Sequence, residues 1–556
     1  MNRIKEYLQH LYPDSCESLE KEIDSLIRKW KGGADISYPP VTEKDVILIT
    51  YGDGIRREGE PPLVTLREFL KRELPGAVSA VHLLPMFPYT SDDGFSVVDY
   101  RQINPALGSW EDVECLHEYY ELMFDAVINH VSSSSSYVKE YVSGNERYRD
   151  FFIEADPKED YSAVIRPRTL PLLTKFETSM GVRYLWTTFS SDQIDLNYHS
   201  PQVLLEILDV LLFYASKGAR FLRFDAIGFA WKENGTTCMH LPQTHELIQL
   251  MRCVLDSCFR GCIIITETNV PHEENISYFG DGYKEAGMVY QFPLPPLVLY
   301  SYLSGDASRL TDWAIGLSPA PGDSAYFNFL ASHDGIGLRP VETILSSGER
   351  QFMVDEVLQR GGQIGYRSLA DGRMAPYELN ISYLDAIAGD EKDIGIMVRK
   401  FLSSQCILLS VMGVPGIYYH SLLGSRNCYK DFEESGMKRR INREKLDADE
   451  LSKELSNPDS VRSKIRSGFQ KMLAVRRREA AFSPVSLQKI LKLDERIFSL
   501  VRGEDERILA LINVSGQQVE CRVEEKGKEL LTDRRIDGSV VLEPYEYLWV
   551  KLGSND

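Results

Sequence analysis

Eight short apolar segments recur along the chain, and most are separated by longer stretches with helical periodicity. Continuous apolar runs rich in β-branched residues are typical of parallel strands covered on both faces. Eight such units alternating with helices predict an α/β fold, the (β/α)8 or TIM barrel. The predicted strands are residues 46–51, 81–84, 122–128, 221–226, 263–267, 288–290, 326–330 and 416–419.

Other parts of the chain depart from this pattern. Two connections are too long for simple loops, and they predict an inserted subdomain after strand 3 and a smaller insertion after strand 7. Short alternating strands near the end predict a C-terminal antiparallel β domain. The expected organisation is an N-terminal helical extension at 1–44, a barrel at 45–132 and 199–480, insertions at 133–198 and about 340–395, and a β domain at 481–556.

The charge balance limits the partners that the protein can have. The 63 Lys and Arg residues and 82 Asp and Glu residues give a formal net charge of −19. This charge argues against nucleic acid and against an anionic membrane surface as partners, since both bind through clustered basic residues. Small anionic substrates are not excluded, because a few arginines can make a pocket locally positive.

The sequence has no visible signal peptide and no apolar run long enough for a membrane helix. Nine widely spread cysteines, an odd number, indicate reduced thiols and a cytoplasmic protein. The sequence leaves open whether the protein is a monomer or a homodimer.

Charged residues interrupt or end several of the apolar runs. Asp125 lies in strand 3, Arg223 and Asp225 in strand 4, Glu267 ends strand 5, and Asp334 follows strand 7. Catalytic residues of TIM barrels lie at the carboxyl ends of the strands. A carboxylate inside an apolar strand must be paired, and Arg223 would hold Asp225 ionised and oriented.

Three converging carboxylates are suited to glycosyl transfer. One serves as nucleophile, one as general acid and then base, and a third stabilises the transition state. A purely structural role for the whole set is much less favoured than catalysis.

Four ordered motifs resemble those of glycoside hydrolase family 13, the α-amylase clan. They are residues 125–130, 223–225, Glu267 and 332–334. The resemblance implies Asp225 as nucleophile, Glu267 as general acid/base and Asp334 as transition-state stabiliser. It further implies that His130 and His333 bind sugar hydroxyls and that Asp125 supports the site.

Narrower motifs resemble the sucrose phosphorylase branch of that family, among them residues 92–95, 166–168, 185–189 and 441–443. The resemblance implies that Asp92 and Arg439 close the far end of a glucose pocket. It places aromatic platforms at Phe95 and Phe189, a glutamine facing the site at Gln193, and phosphate contacts at Arg168 and Tyr377.

The chain departs from true sucrose phosphorylases in two places. A long segment precedes the first strand, and Asn269 stands where those enzymes have histidine. With residues 231–233 and 377–378, these features are similar to glucosylglycerate phosphorylases of the same subfamily. This similarity implies D-glycerate as acceptor, with Lys232, Asn269 and Glu378 as acceptor-side or phosphate-side candidates.

The implied activity is reversible phosphorolysis of an α-glucoside to α-D-glucose 1-phosphate, with small molecules as partners. Phosphorolysis of sucrose, sucrose 6-phosphate or glucosylglycerol, hydrolysis of α-glucosides, and a non-catalytic binding role remain alternatives. This chemistry requires no metal and no organic cofactor. Asn129 occupies the position that binds calcium in many amylases, but no full set of oxygen ligands is apparent.

Overall fold

The computed structural model describes residues 2–31, 36–167, 170–368 and 373–553. At its centre, eight parallel strands close into a barrel, which confirms the predicted fold class. The strands are β1 (Ile47–Thr50), β2 (Ala80–Leu83), β3 (Glu121–Ala126), β4 (Ala219–Phe224), β5 (Ile263–Thr266), β6 (Met288–Tyr290), β7 (Ala325–Asn328) and β8 (Val414–Tyr418).

The barrel strands are apolar because both of their faces are covered. Every residue of β1, β2 and β4 is buried, with side chains alternating between the barrel interior and the surrounding helices. The helices in the connections between strands and after β8 are Pro62–Glu73, Trp110–His117, Pro201–Ser216, Pro242–Cys258, His272–Ile276, Leu294–Ser304, Ser308–Ile315, Ile394–Ser410, Tyr419–Leu422, Tyr429–Ser435, Ala448–Ser456 and Val461–Arg476.

The segment after β3 folds back over the carboxyl end of the barrel. Its short strands His130–Ser132 and Gln193–Asp195 pair in antiparallel fashion. Between them lie the helix Ser136–Ser143 and the hairpin of Leu173–Thr178 with Gly181–Trp186.

The segment after β7 builds a separate three-stranded sheet. Its strands, in spatial order, are Ile336–Gly337, Met374–Asn380 and Gln363–Ser368. In sequence, the helix Ser347–Gln359 lies between Ile336–Gly337 and Gln363–Ser368, and the helix Tyr383–Ala388 follows Met374–Asn380.

Two helices, Asn2–Leu11 and Cys16–Lys31, precede the barrel and pack on its outer helices. Leu8 and Ile23 are fully buried in this contact. Ile36–Ser37 then pairs in parallel with Phe259–Arg260, which ties the extension to the entry of β5.

The C-terminal region is an antiparallel β domain, as predicted. Its main sheet has six strands, in the spatial order Gln488–Asp494, Ile497–Arg502, Ile508–Asn513, Tyr547–Leu552, Gly527–Glu529 and Arg535–Ile536, and Val519–Arg522 pairs with Ser539–Leu542. Buried Trp549 donates from Nε1 to Ser410 Oγ at 2.7 Å, so this domain is anchored to a barrel helix.

Within the described ranges, no helix combines the length and the apolar character that crossing a bilayer requires.

Candidate active site

Arg223 lies at the centre of the charged groups at the carboxyl end of the barrel. Its side chain is 2% exposed, and its Nη1 donates to Asp125 Oδ1 and, at 2.8 Å, to Asp225 Oδ1. Its Nη2 lies 3.8 Å from Glu267 Oε2. The strand register explains the first contact, since Arg223 of β4 lies directly beside Asp125 of β3. One buried cation therefore links carboxylates from three neighbouring strands.

Asp125 supports Arg223 from below the site. Its other oxygen, Oδ2, lies 2.7 Å from His82 Nε2 of β2, and both side chains are fully buried. Burial alone would raise the pKa of Asp125, but Arg223 and His82 outweigh that effect and lower the pKa. Asp125 is therefore a fixed anion that holds Arg223 in place.

The backbone turns sharply where β4 ends. Ala226 adopts the left-handed conformation (φ 48°), which is unfavourable for a residue with a Cβ. In this conformation its N–H donates to Glu267 Oε2 at 3.0 Å. The turn thus presents Asp225 to the pocket and ties the carboxylate of β5 to the end of β4.

The pKa of Glu267 suits a group that carries a proton near neutral pH. Burial raises it to about 7, and the charges of Asp225 and Asp334 add to this effect against the opposing effect of Arg223. Burial also raises the pKa of Asp225, again opposed by Arg223.

The environment of Asp334 lowers its pKa, whereas that of Glu267 raises the pKa. Burial would favour its neutral form, but Arg439, whose Nη1 lies 2.6 Å from Oδ1, holds the pKa of Asp334 well below its usual range. Burial lowers the pKa of the adjacent His333 to about 3, so this imidazole is neutral. Asp334 is therefore an anion and Glu267 an acid within one site.

These groups border a pocket with an empty volume of about 620 Å³. Apart from Lys232, every predicted site residue within the described ranges lines it. The lining residues are Asp92, Phe95, His130, Pro167, Phe189, Gln193, Arg223, Asp225, Ala226, Glu267, Asn269, His333, Asp334, Tyr377, Glu378 and Arg439.

Aromatic and polar side chains on the barrel side of the pocket are held by one another. Phe95 stacks on His333, with ring centroids 4.7 Å apart. His130 Nε2 and Gln193 Nε2 lie 2.9 and 3.0 Å from the carbonyl oxygen of Phe95. The ring of Phe189 lies 5.3 Å from that of His130. These contacts fix the orientation of the pocket wall before any ligand binds.

Glu378 is engaged within the protein. Arg439 donates to it twice, at 3.1 and 2.8 Å, and Gly335 N donates at 3.1 Å. Its carboxylate thus orients Arg439, which in turn holds Asp334. Asn269 differs, because its Oδ1 is buried and has no hydrogen-bond partner among the described residues.

Lys232 does not lie where an acceptor or phosphate ligand is expected. Its side chain is 2% exposed, and its ammonium contacts Asp195 Oδ2 at 2.7 Å and Asn129 Oδ1 at 2.8 Å, away from the pocket lining. Its charge is neutralised inside the protein, and the structure does not place it among the residues that line the pocket. The ammonium instead lies beside Asn129, the position that the resemblance associates with calcium. Arg168 lies outside the described residues, although its neighbour Pro167 lines the pocket.

Sequence reasoning missed the residues that support the site from behind. Tyr290 of β6 lies against the guanidinium of Arg223, 5.7 Å from the ring centroid. Asp93 pairs with Arg440 and Arg443 on the outer face of the pocket wall. The only signal for Asp93 was its position beside Asp92, and nothing distinguished Tyr290 from other buried aromatic residues.

Comparison with known proteins gives a consistent result. Residues 74–314 match the model of the α-amylase catalytic domain. The chain is 47% identical over 532 residues to a glucosylglycerate phosphorylase of Spirochaeta thermophila, covering 94% of this chain and 90% of that protein. It is 42% identical to a glucosylglycerate phosphorylase of Escherichia coli, with 92% of each chain covered.

A solved structure supports the fold. Sucrose 6F-phosphate phosphorylase from Thermoanaerobacter thermosaccharolyticum superimposes with a TM-score of 0.76 at 23% identity. The match covers 92% of this chain and all of that one.

Replacing Lys232 by Met should destabilise the protein, because Asp195 would remain buried without its cation. Removing one partner of a buried ion pair costs about 3–5 kcal/mol. We expect a clear fall in the denaturant midpoint of unfolding. Lys175→Met removes an exposed lysine paired with Glu177 and should leave the midpoint unchanged. Equal effects of the two substitutions would contradict the structural role of Lys232.

Proposed function

The chain belongs to glycoside hydrolase family 13, in the subfamily of the sucrose phosphorylases, and we propose that it is a retaining glucosylglycerate phosphorylase. It transfers a glucosyl unit from 2-O-α-D-glucosyl-D-glycerate to inorganic phosphate, and the products are α-D-glucose 1-phosphate and D-glycerate. The observation that carries this proposal is the convergence of Asp225, Glu267 and Asp334 on one pocket, in a chain similar along nearly its whole length to proteins of that name.

In the first half-reaction, Asp225 attacks the anomeric carbon as the bond to the glycerate oxygen breaks. Arg223 orients the attacking carboxylate through the 2.8 Å contact. Glu267, whose pKa of about 7 keeps a large fraction of it protonated near neutral pH, donates its proton to the leaving oxygen. Asp334, held as an anion by Arg439, stabilises the positive charge that develops on the sugar ring. The product is a β-glucosyl ester of Asp225.

In the second half-reaction, inorganic phosphate attacks from the face that glycerate has left. Two inversions give net retention, so the product is α-D-glucose 1-phosphate. Phosphate is already largely ionised near neutral pH, so Glu267 has little proton abstraction to perform. The site must instead exclude water, and we assign Arg168 and Tyr377 to the binding of phosphate.

The glucosyl unit occupies the part of the pocket between the aromatic platforms. Phe95 and Phe189 flank it, and His130, His333 and Gln193 bind its hydroxyl groups. Asp92 and Arg439 close the far end, which limits the enzyme to one glucosyl unit. Several of these side chains are already fixed by contacts within the protein, so little ordering is needed on binding.

On the acceptor side, Asn269 offers the buried Oδ1 that lacks a partner. A glycerate hydroxyl that donates to this oxygen would satisfy it. Glu378 lies beside the same pocket and acts through Arg439 as well as on the acceptor. We propose that these two residues favour glycerate over fructose.

The partners are small molecules: the α-glucoside, phosphate, glucose 1-phosphate and glycerate. We place the protein in the cytoplasm as a monomer or homodimer, without nucleic-acid or membrane partners. The free thiols support a reducing compartment.

Asp225→Asn should abolish turnover, because the amide cannot form the glucosyl ester. The measurement is release of glucose 1-phosphate from glucosylglycerate with phosphate, on protein whose far-UV circular dichroism matches the wild type. Activity near the wild-type level would refute the assignment of the nucleophile.

The pH dependence of phosphorolysis should have an alkaline limb set by Glu267. The acid is active only when protonated, so the rate from glucosylglycerate falls as pH rises through about 7. With α-glucosyl fluoride, whose leaving group needs no proton, the limb should be absent. Glu267→Gln should slow the glycerate substrate far more than the fluoride. Identical profiles for both donors would contradict the acid role.

Acceptor identity is tested most sharply in the synthetic direction. Glucose 1-phosphate is supplied with glycerate, fructose, fructose 6-phosphate or glycerol, and phosphate release is measured against a control without acceptor. We expect release with D-glycerate well above the other acceptors. No release with glycerate would refute that acceptor, and equal release without any acceptor would favour a hydrolase.

A further inference from the structure

The turn that contributes Asp92 to the pocket has an unfavourable backbone conformation. Asp92 and Asp93 are successive non-glycine residues with positive φ, at 52° and 49°. Such residues persist only where surrounding contacts hold them. Gly94 follows with φ 116°, and a Cβ there would lie 2.9 Å from Pro85. Contacts from elsewhere in the chain must therefore hold this turn.

The carboxylate of Asp93 provides two such contacts. Its Oδ1 accepts from Arg440 Nη2 at 2.7 Å, and its Oδ2 accepts from Arg443 Nη1 at 2.7 Å. Both arginines belong to the loop after β8, which also carries Arg439. Asp93 thus joins the loop after β2 to the loop after β8 through two charge-assisted hydrogen bonds.

Arg443 connects this pairing to the catalytic loop after β7. Its side chain is 2% exposed, and its Nε donates to the carbonyl oxygen of His333 at 2.7 Å. Its Nη2 lies 3.9 Å from Asp334 Oδ1, farther than the 2.6 Å contact of Arg439 with the same oxygen. Asp93 is therefore the carboxylate that engages Arg443, while Asp334 is engaged by Arg439.

The two aspartates of the turn face different spaces. Asp92 and Arg439 line the glucose pocket. Asp93, Arg440 and Arg443 line a separate cavity with an empty volume of about 1220 Å³. Asp93 consequently lies behind the pocket wall, outside the space proposed for the glucosyl unit.

We propose that Asp93 is a positioning residue of the glucose subsite. By engaging Arg440 and Arg443, it holds Asp92 at the far end of the pocket and keeps Arg443 from competing with Arg439 for Asp334. This inference rests on the proposed glucosyl transfer, but it does not depend on which acceptor is used.

The proposal predicts that loss of the Asp93 carboxylate weakens the binding of the glucosyl donor but not the binding of phosphate. Without the Asp93 carboxylate, the turn relaxes and the buried charge of Arg443 is drawn towards Asp334. Binding of the glucosyl unit then weakens, whereas we expect the binding of phosphate to be unaffected. A residue with only a structural role would reduce the amount of active enzyme and leave both Michaelis constants unchanged.

The test uses Asp93→Asn in the full-length enzyme, with α-glucosyl fluoride as donor and inorganic phosphate as acceptor. We expect the KM for the fluoride to rise about tenfold or more, while the KM for phosphate stays within about twofold of the wild type. Asp93→Glu restores the charge and should return the donor KM towards the wild-type value. Because the fluoride assay omits glycerate, a wrong acceptor assignment would leave this result intact.

Asp45→Asn is the matched control. Asp45 pairs with Arg220 at 3.2 Å in another buried ion pair, at the opposite end of the barrel, and the substitution should lower stability without changing either KM. If Asp93→Asn does not fold, Arg440→Gln replaces it in the test. Arg440 is 39% exposed, so its substitution should be tolerated by the fold. We expect this variant to raise the donor KM more moderately. An unchanged donor KM in folded Asp93→Asn, or in Arg440→Gln where that variant replaces it, would overturn the proposal. An equal rise in the phosphate KM would also overturn it.

Discussion

The buried guanidinium of Arg223 is the group on which the arrangement of the neighbouring carboxylates depends. An isolated charge is very unfavourable inside a protein, so Arg223 requires anionic partners. It has Asp125 of β3, Asp225 at the end of β4 and, at longer range, Glu267 at the end of β5. These partners meet only when the three strands are parallel, adjacent and in the observed register. The register of the barrel strands therefore also determines the geometry of the site.

The surroundings of the carboxyl groups shift their pKa values in different directions, so the groups differ in protonation state. Glu267 has burial and two neighbouring anions, which raise its pKa, whereas Asp334 has Arg439, which lowers it. The arginine that fixes Asp334 is itself fixed by Glu378, and the loop that carries it is fastened to Asp93. The acidic protein thus brings Arg223 and Arg439 to its pocket, and both are paired there with carboxylates of the lining.

Most of the barrel strands and the charged residues at their carboxyl ends could be predicted from sequence because both leave local signals. Apolar runs mark strands buried on two faces, and a charge inside or just after such a run must be paired. The edge strand Gln488–Asp494 leaves a weaker signal, because its half-exposed residues include Lys and Asp. The position of Lys232 could not be predicted, since its partners Asn129 and Asp195 are distant in sequence. The pairing of Glu378 with Arg439 was missed for the same reason.

In the proposed mechanism, Asp225, oriented by Arg223, forms a covalent glucosyl intermediate that phosphate resolves. The most direct measurement is mass spectrometry of Glu267→Gln incubated with α-glucosyl fluoride without phosphate, followed by peptic digestion. The account predicts one glucosyl unit attached at Asp225, and its release as α-D-glucose 1-phosphate when phosphate is added. An adduct on another residue, or release as β-D-glucose 1-phosphate, would contradict it.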